Sequence, residues 1–134
     1  MFVDEVLPGD TFTLKMTALL RLTTPLKPIM DNLYLESFFF FVPYRLLWTN
    51  FVKFMGEQTN PGDTIAYTVP LVAAHLPAVG SISDYMGLPV AGQVTGTITH
   101  SALPFRAYNL IYNQWFRDEN LINSVINPMT DGVS

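Results

Sequence analysis

The sequence predicts a mainly β domain, a β-sandwich with amphipathic helices in its connections. Two observations carry that expectation. Residues 10–22 alternate apolar and polar side chains, and residues 32–42 form a second run ending in consecutive aromatics. A third observation, composition, says that this sandwich is not self-sufficient. Of 134 residues only 13% are charged, where an average globular chain has about 25%. Hydrophobic residues make up 49% and aromatics 13%. So much apolar surface needs lipid, a partner subunit, or more of the same chain to cover it.

In the first run, Phe12, Leu14, Met16, Ala18, Leu20 and Leu22 fall on one face, with Thr11, Thr13, Lys15, Thr17 and Arg21 opposite. Leu19 is the exception. A period of two sustained this long marks a strand with one buried face. Pro8-Gly9 and Pro25 with Pro28 punctuate its ends. In the second run Leu33 and Leu35 alternate with Asn32, Tyr34 and Glu36, and Phe38 through Phe41 are aromatic on both faces. A strand apolar on both faces must be covered on both.

Pro43 suits the first turn of a helix over 43–55. Tyr44, Leu47, Trp48, Phe51 and Met55 recur at helical steps, with Arg45, Thr49 and Lys53 opposite and Gly56 as the stop. Asn60-Pro61-Gly62-Asp63 is a turn, followed by a short strand over 64–69. Ser83 is the expected cap of a single helical turn at 84–86, stopped by Gly87 and Pro89. Residues 90–101 read as a loop or short hairpin.

A helical period returns over 101–116, with Ser101 as cap and Pro104 in the first turn. Leu103, Ala107, Leu110 or Ile111, and Trp115 form one stripe; Phe105, Tyr108, Tyr112 and Phe116 form another. A helix apolar nearly all round is expected to be buried on most sides. The tail from Leu121 onward closes no recognisable element.

Several function classes fall away. The densest apolar run, 38–42, is far short of the ~20 residues a spanning helix needs. Asp4 and Glu5 give an acidic start, unlike a signal peptide. With no cysteine, disulfides and thiolate metal sites are excluded. A formal charge of −4 argues against a surface that grips nucleic acid everywhere. No catalytic constellation is visible. His75 and His100 each stand apart from any nucleophile or carboxylate at motif spacing. Asp31 with Glu36, and Asp118 with Glu119, are better read as capping or ion-pairing groups than as acid–base pairs. No cofactor or metal site is expected.

Seven blocks along the chain stand out. It opens with Phe2-Val3-Asp4-Glu5-Val6-Leu7-Pro8-Gly9-Asp10-Thr11-Phe12. Pro28-Ile29-Met30-Asp31-Asn32-Leu33-Tyr34, Phe38-Phe39-Phe40-Phe41-Val42-Pro43 and Arg45-Leu46-Leu47-Trp48 follow. Then come Phe54-Met55-Gly56-Glu57-Gln58, Asp84-Tyr85-Met86-Gly87-Leu88-Pro89, and the long block at 102–121. In this order they resemble the major capsid proteins of microviruses, small single-stranded DNA bacteriophages, and within them the gokushovirus-like group, the first block being similar to the start of that family's first barrel strand. Each is weak alone; their succession over 2–121 is specific. The resemblance implies a viral jelly-roll β-sandwich with helices in its connections, present here as the incomplete N-terminal portion of one domain from a longer chain. It also implies a structural, non-catalytic shell protein, assembled in the bacterial cytoplasm into an icosahedral virion. The implied partners are other copies of the same protein, other virion proteins (spike, internal scaffold or DNA-packaging proteins) and the packaged single-stranded DNA, with no membrane.

The candidates for a subunit interface or the shell's inner face are Arg45, Trp48, Arg106, Tyr108, Asn109, Tyr112, Trp115 and Arg117. Aromatics interleaved with arginine are what single-strand binders use. The same aromatics, however, already have a helical explanation as core, with arginines reaching the surface or pairing with carboxylates. Two further classes compete with the shell subunit. A carbohydrate- or peptide-binding β-sandwich would carry more surface charge and a closed set of strands. A jelly-roll enzyme would need a His and carboxylate metal triad, which the sequence lacks.

Overall fold

A computed structural model describes residues 1–133. The chain divides into two compact units, residues 4–39 and the remainder, Met1–Val3 with residues 40–133.

Residues 4–39 contain no helix and no strand. Their one well-defined local feature is the turn at Pro8-Gly9. There the Asp10 amide donates to the Leu7 carbonyl at 3.1 Å, and the Asp10 carboxylate accepts from the Leu7 amide at 2.9 Å. The strands expected over 10–22 and 32–42 are not formed. Phe12, Leu14 and Met16, expected to share a buried face, are exposed. A strand exists only through a ladder, and among the described residues no strand pairs with these segments. Alternation specifies which face will be buried; it does not supply what covers it.

The second unit holds every regular element. A 3₁₀ turn, Tyr44–Leu46, precedes α1 (Phe51–Phe54). β1 (Leu71–His75), α2 (Ile82–Tyr85), β2 (Ile98–Ser101), α3 (Leu103–Ile111) and a π-turn at Tyr112–Phe116 follow. β1 and β2 form an antiparallel pair, Leu71 opposite Ser101 and His75 opposite Ile98, with an irregularity between Val72 and His75. Within that bulge Ala74 takes a left-handed φ of 51°, a conformation costly for a residue with a Cβ. The strand expected over 64–69 is absent; the pairing begins just beyond it, at Leu71.

The single helix expected over 43–55 is broken, because neighbours take its backbone groups. The Leu47 carbonyl, which would receive the Phe51 amide in a continuous helix, accepts from Arg106 Nη1 at 3.1 Å. The Thr49 amide turns away to the Met129 carbonyl at 3.2 Å. Phe51 bonds instead to the Trp48 carbonyl at 3.2 Å, and α1 restarts there. Its stop is as expected. Gly56, at φ 103°, lets its amide reach the Lys53 carbonyl and the Glu57 amide reach Val52, the double bond of a Schellman ending.

α2 ends in the same way, with Gly87 at φ 91° bonding to Asp84 and Leu88 to Ser83. Its cap is Ser81, not Ser83. The Ser81 hydroxyl accepts from the Asp84 amide, and Asp84 reaches back to the Gly80 amide at 2.8 Å. Ser83, two residues further on, is buried within α2.

The N-cap of α3 is Ala102, not Ser101, and it makes no side-chain capping bond; Ser101 stands one residue earlier, its Oγ accepting from the Leu103 amide at 3.2 Å. Pro104 stands in the first turn. Leu103, Ala107 and Leu110 face the core, where they meet Leu47 and Trp48 with Val42, Tyr44, Phe51, Tyr67 and Val69 around them. Trp115 does not follow them. The Arg117 amide bonds to Tyr112, five residues back, at 2.9 Å, and this wider winding carries the end of the helix off the stripe. Within this chain Trp115 is 71% exposed, and Tyr108 and Phe116 are exposed too. The expectation of a helix buried on most sides therefore fails for the chain by itself.

Candidate functional site

The tail supplies the clasp that holds the core shut. The indole Nε1 of Trp48 donates to Asp131 Oδ1, and Asn50 Nδ2 donates to Asp131 Oδ2 at 2.9 Å. Arg106 reaches the tail from α3, its Nη2 donating to the Thr130 carbonyl at 3.0 Å while Nη1 holds Leu47. Burial pushes the Arg106 guanidinium below its ordinary pKa, and the negative charge of Asp131 pulls the other way. Asn127 donates to the Arg106 carbonyl at 3.1 Å, and the Gly132 carbonyl accepts from the Leu71 amide at 2.9 Å. Three separated stretches, near 48, 106 and 131, thus converge on one buried cation and one carboxylate.

That convergence sorts the eight candidates. Trp48 and Arg106, exposed to 1% and 2%, belong to the interior of this chain. Arg117 is engaged locally, with Nη1 donating to the Ile122 carbonyl at 2.8 Å and Nη2 3.7 Å from Glu119. Arg45 projects from the 3₁₀ turn and is exposed; Asn109 is half-buried on α3. Tyr108 on α3 is exposed, Tyr112 at the start of the π-turn is half-buried, and Trp115 further along that turn is exposed. Tyr108, Ile111, Tyr112 and Phe116 line a shallow groove there. Phe40 packs across the helix end, its ring 5.8 Å from Trp115 and 6.1 Å from Phe116.

These side chains form an aromatic shelf. A surface so apolar, with its nearest arginine tied to Glu119 and a carbonyl, is suited to another apolar protein face more than to phosphates. No group of His, Asp or Glu side chains among the described residues is arranged to hold a metal ion.

Two features escaped sequence reasoning. The tail has no periodicity, so nothing in 121–133 announced Asp131 as a partner of Trp48 eighty-three positions away. His75 and His100, apart in sequence, face each other with Nδ1 and Nε2 2.8 Å apart.

Comparison with known proteins accords with this picture of a structural surface. A family model described as capsid protein (F protein) matches residues 1–133. The capsid protein VP1 of Bdellovibrio phage phiMH2K is 47% identical over 136 residues, covering 98% of this chain and 25% of that protein. VP1 of Chlamydia phage 1 is 50% identical over 134 residues, covering 92% of this chain and 22% of its own length. VP1 of Spiroplasma virus 4 is 37% identical over 124 residues, covering 90% and 22% respectively. The chain belongs to the phage capsid protein (F protein) family. It spans about a quarter of the length of the curated relatives it matches.

Proposed function

We propose that this chain is a stretch of a structural major capsid protein of a gokushovirus-like microvirus, non-catalytic, and part of one jelly-roll β-sandwich domain. In this reading the protein assembles in the host cytoplasm, with other copies of itself and other virion proteins, into an icosahedral shell around single-stranded DNA. The observation that carries it is the family match along residues 1–133. The apolar surface agrees: a face of Phe12, Leu14 and Met16 with nothing over it fits a strand completed by further strands of a longer protein. The shelf at Tyr108, Tyr112 and Trp115 fits a contact between subunits, with Asn109 and Arg117 at its margin and Arg45 as the inner-face candidate.

The test is expression of a full-length reading frame containing these residues, followed by electron cryo-microscopy of what assembles. The expected outcome is a closed shell in which 10–22 and 32–42 are paired strands, Met16 points inward with Lys15 outward, and Trp115 is covered. Soluble monomers that never assemble, or Trp115 in contact with solvent in the particle, would count against the reading.

A further inference from the structure

The two histidines are held against each other on β1 and β2, with the Phe105 ring of α3 against both. Its centroid lies 5.2 Å from the His100 ring and 6.4 Å from the His75 ring. Proton positions follow from the partners. His100 Nδ1 lies 2.9 Å from the Ser101 carbonyl oxygen, which can only accept, so Nδ1 carries a hydrogen. A neutral His100 then has a bare Nε2, which accepts from Nδ1–H of His75 at 2.8 Å. The neutral pair is satisfied as it stands, with His75 Nε2 the remaining basic site.

A first added proton, placed on His75 Nε2, leaves both hydrogen bonds intact and makes the one between the rings charge-assisted. A second proton has no such place. Both nitrogens that face each other would then carry hydrogens, and two cations would sit with ring centroids 5.1 Å apart. The bond becomes a repulsion. From β1 and β2 the groups facing each imidazole are the other imidazole and the Ser101 carbonyl; from α3 it is the uncharged Phe105 ring. Among the described residues no carboxylate, lysine or arginine bonds to either histidine to offset the second charge.

The pair also sits where the ladder is weakest. It bridges the bulge between Val72 and His75, beside the left-handed Ala74, so a side-chain bond stands where the backbone pairing is irregular. At the far end of the same ladder, the Pro70 carbonyl accepts from the Ala102 amide at 3.0 Å, and Leu71 holds Gly132. We propose that His75 and His100 form a proton-operated latch on β1–β2, closed while the pair holds at most one proton and opened by the second. Because the second proton binds the open form better, stability of this sheet falls as pH falls. This holds whatever the assembled protein does.

The test uses the full-length capsid protein. Backbone hydrogen exchange of segments 71–75 and 98–101 is followed from about pH 8 to about pH 4, corrected for intrinsic exchange. The expected result is a loss of protection of at least ~10-fold at the acid end in the wild type. The His75→Gln variant, which has an amide donor that does not titrate, gives a flat profile. The same profile in both proteins overturns the proposal. A second measurement on the wild type alone, exchange of the imidazole C2 hydrogens by mass spectrometry, does not depend on the variant folding. Two histidines whose C2 hydrogens exchange alike across the whole range also overturn it.

Discussion

Residues 4–39 and residues 40–133 have similar apolar character and opposite fates. In the first segment Leu19 is 95% exposed and no element forms; in the second, Leu47 and Trp48 are exposed to 1% each. The difference lies in where each finds its partners. The second unit is closed by contacts its own chain provides: α3 covers Leu47 and Trp48, and the tail brings Asp131 to the indole. The first unit carries a long amphipathic pattern with no ladder partner among the described residues. A helix satisfies its own backbone, whereas a strand takes all its ladder bonds from other segments. Apolar content therefore does not by itself make a core; closure does.

The largest test of this contrast is to express residues 1–134 alone. Exposed apolar strand material with little charge to keep copies apart favours association. The expected outcome is aggregation or partial disorder by size exclusion, with weak near-ultraviolet circular dichroism. A monodisperse monomer with a cooperative melt would show that the two segments are not different in kind.

Next in size, Trp48→Ala removes the largest buried side chain of the second unit and should cost about 3–5 kcal/mol in the folded full-length protein. Arg106→Met leaves the Leu47 and Thr130 carbonyls without their donor; it should cost about 3 kcal/mol, read from denaturant melts of the full-length protein. A loss under about 1 kcal/mol would mean the clasp is not what closes this unit.

Leu14→Lys sharpens the comparison from the other side. In residues 1–134 expressed alone, where Leu14 is exposed, it should leave the far-ultraviolet circular dichroism unchanged. In the full-length protein it should prevent assembly, because it places a charge on the face expected to be buried. Equal tolerance in both contexts would refute the inward register.

The smallest effect concerns nucleic acid. With Arg106 in the core and Arg117 tied to Glu119 and Ile122, the remaining cations are outnumbered by carboxylates on a chain of net charge −4. Filter binding should show weak association with single-stranded DNA that is lost by ~200 mM salt, since phosphate contacts weaken steeply over that range.

Local sequence by itself determined the local devices. The glycines after α1 and α2 stop those helices because only a residue without a Cβ takes positive φ freely. Pro104 stands in the first turn of α3, and Leu103, Ala107 and Leu110 face the core at helical spacing. These depend on neighbours within a few positions, which the sequence displays. Tertiary structure alone decided the rest. It broke the helix at Leu47–Asn50 by giving Leu47's carbonyl to Arg106 and Thr49's amide to Met129. It turned Trp48 and Arg106 from surface candidates into core, and put His75 beside His100. Each of those outcomes is a bond between residues twenty-five or more positions apart. Such a bond leaves no period in the sequence, because its two ends are related only by the path the chain takes between them.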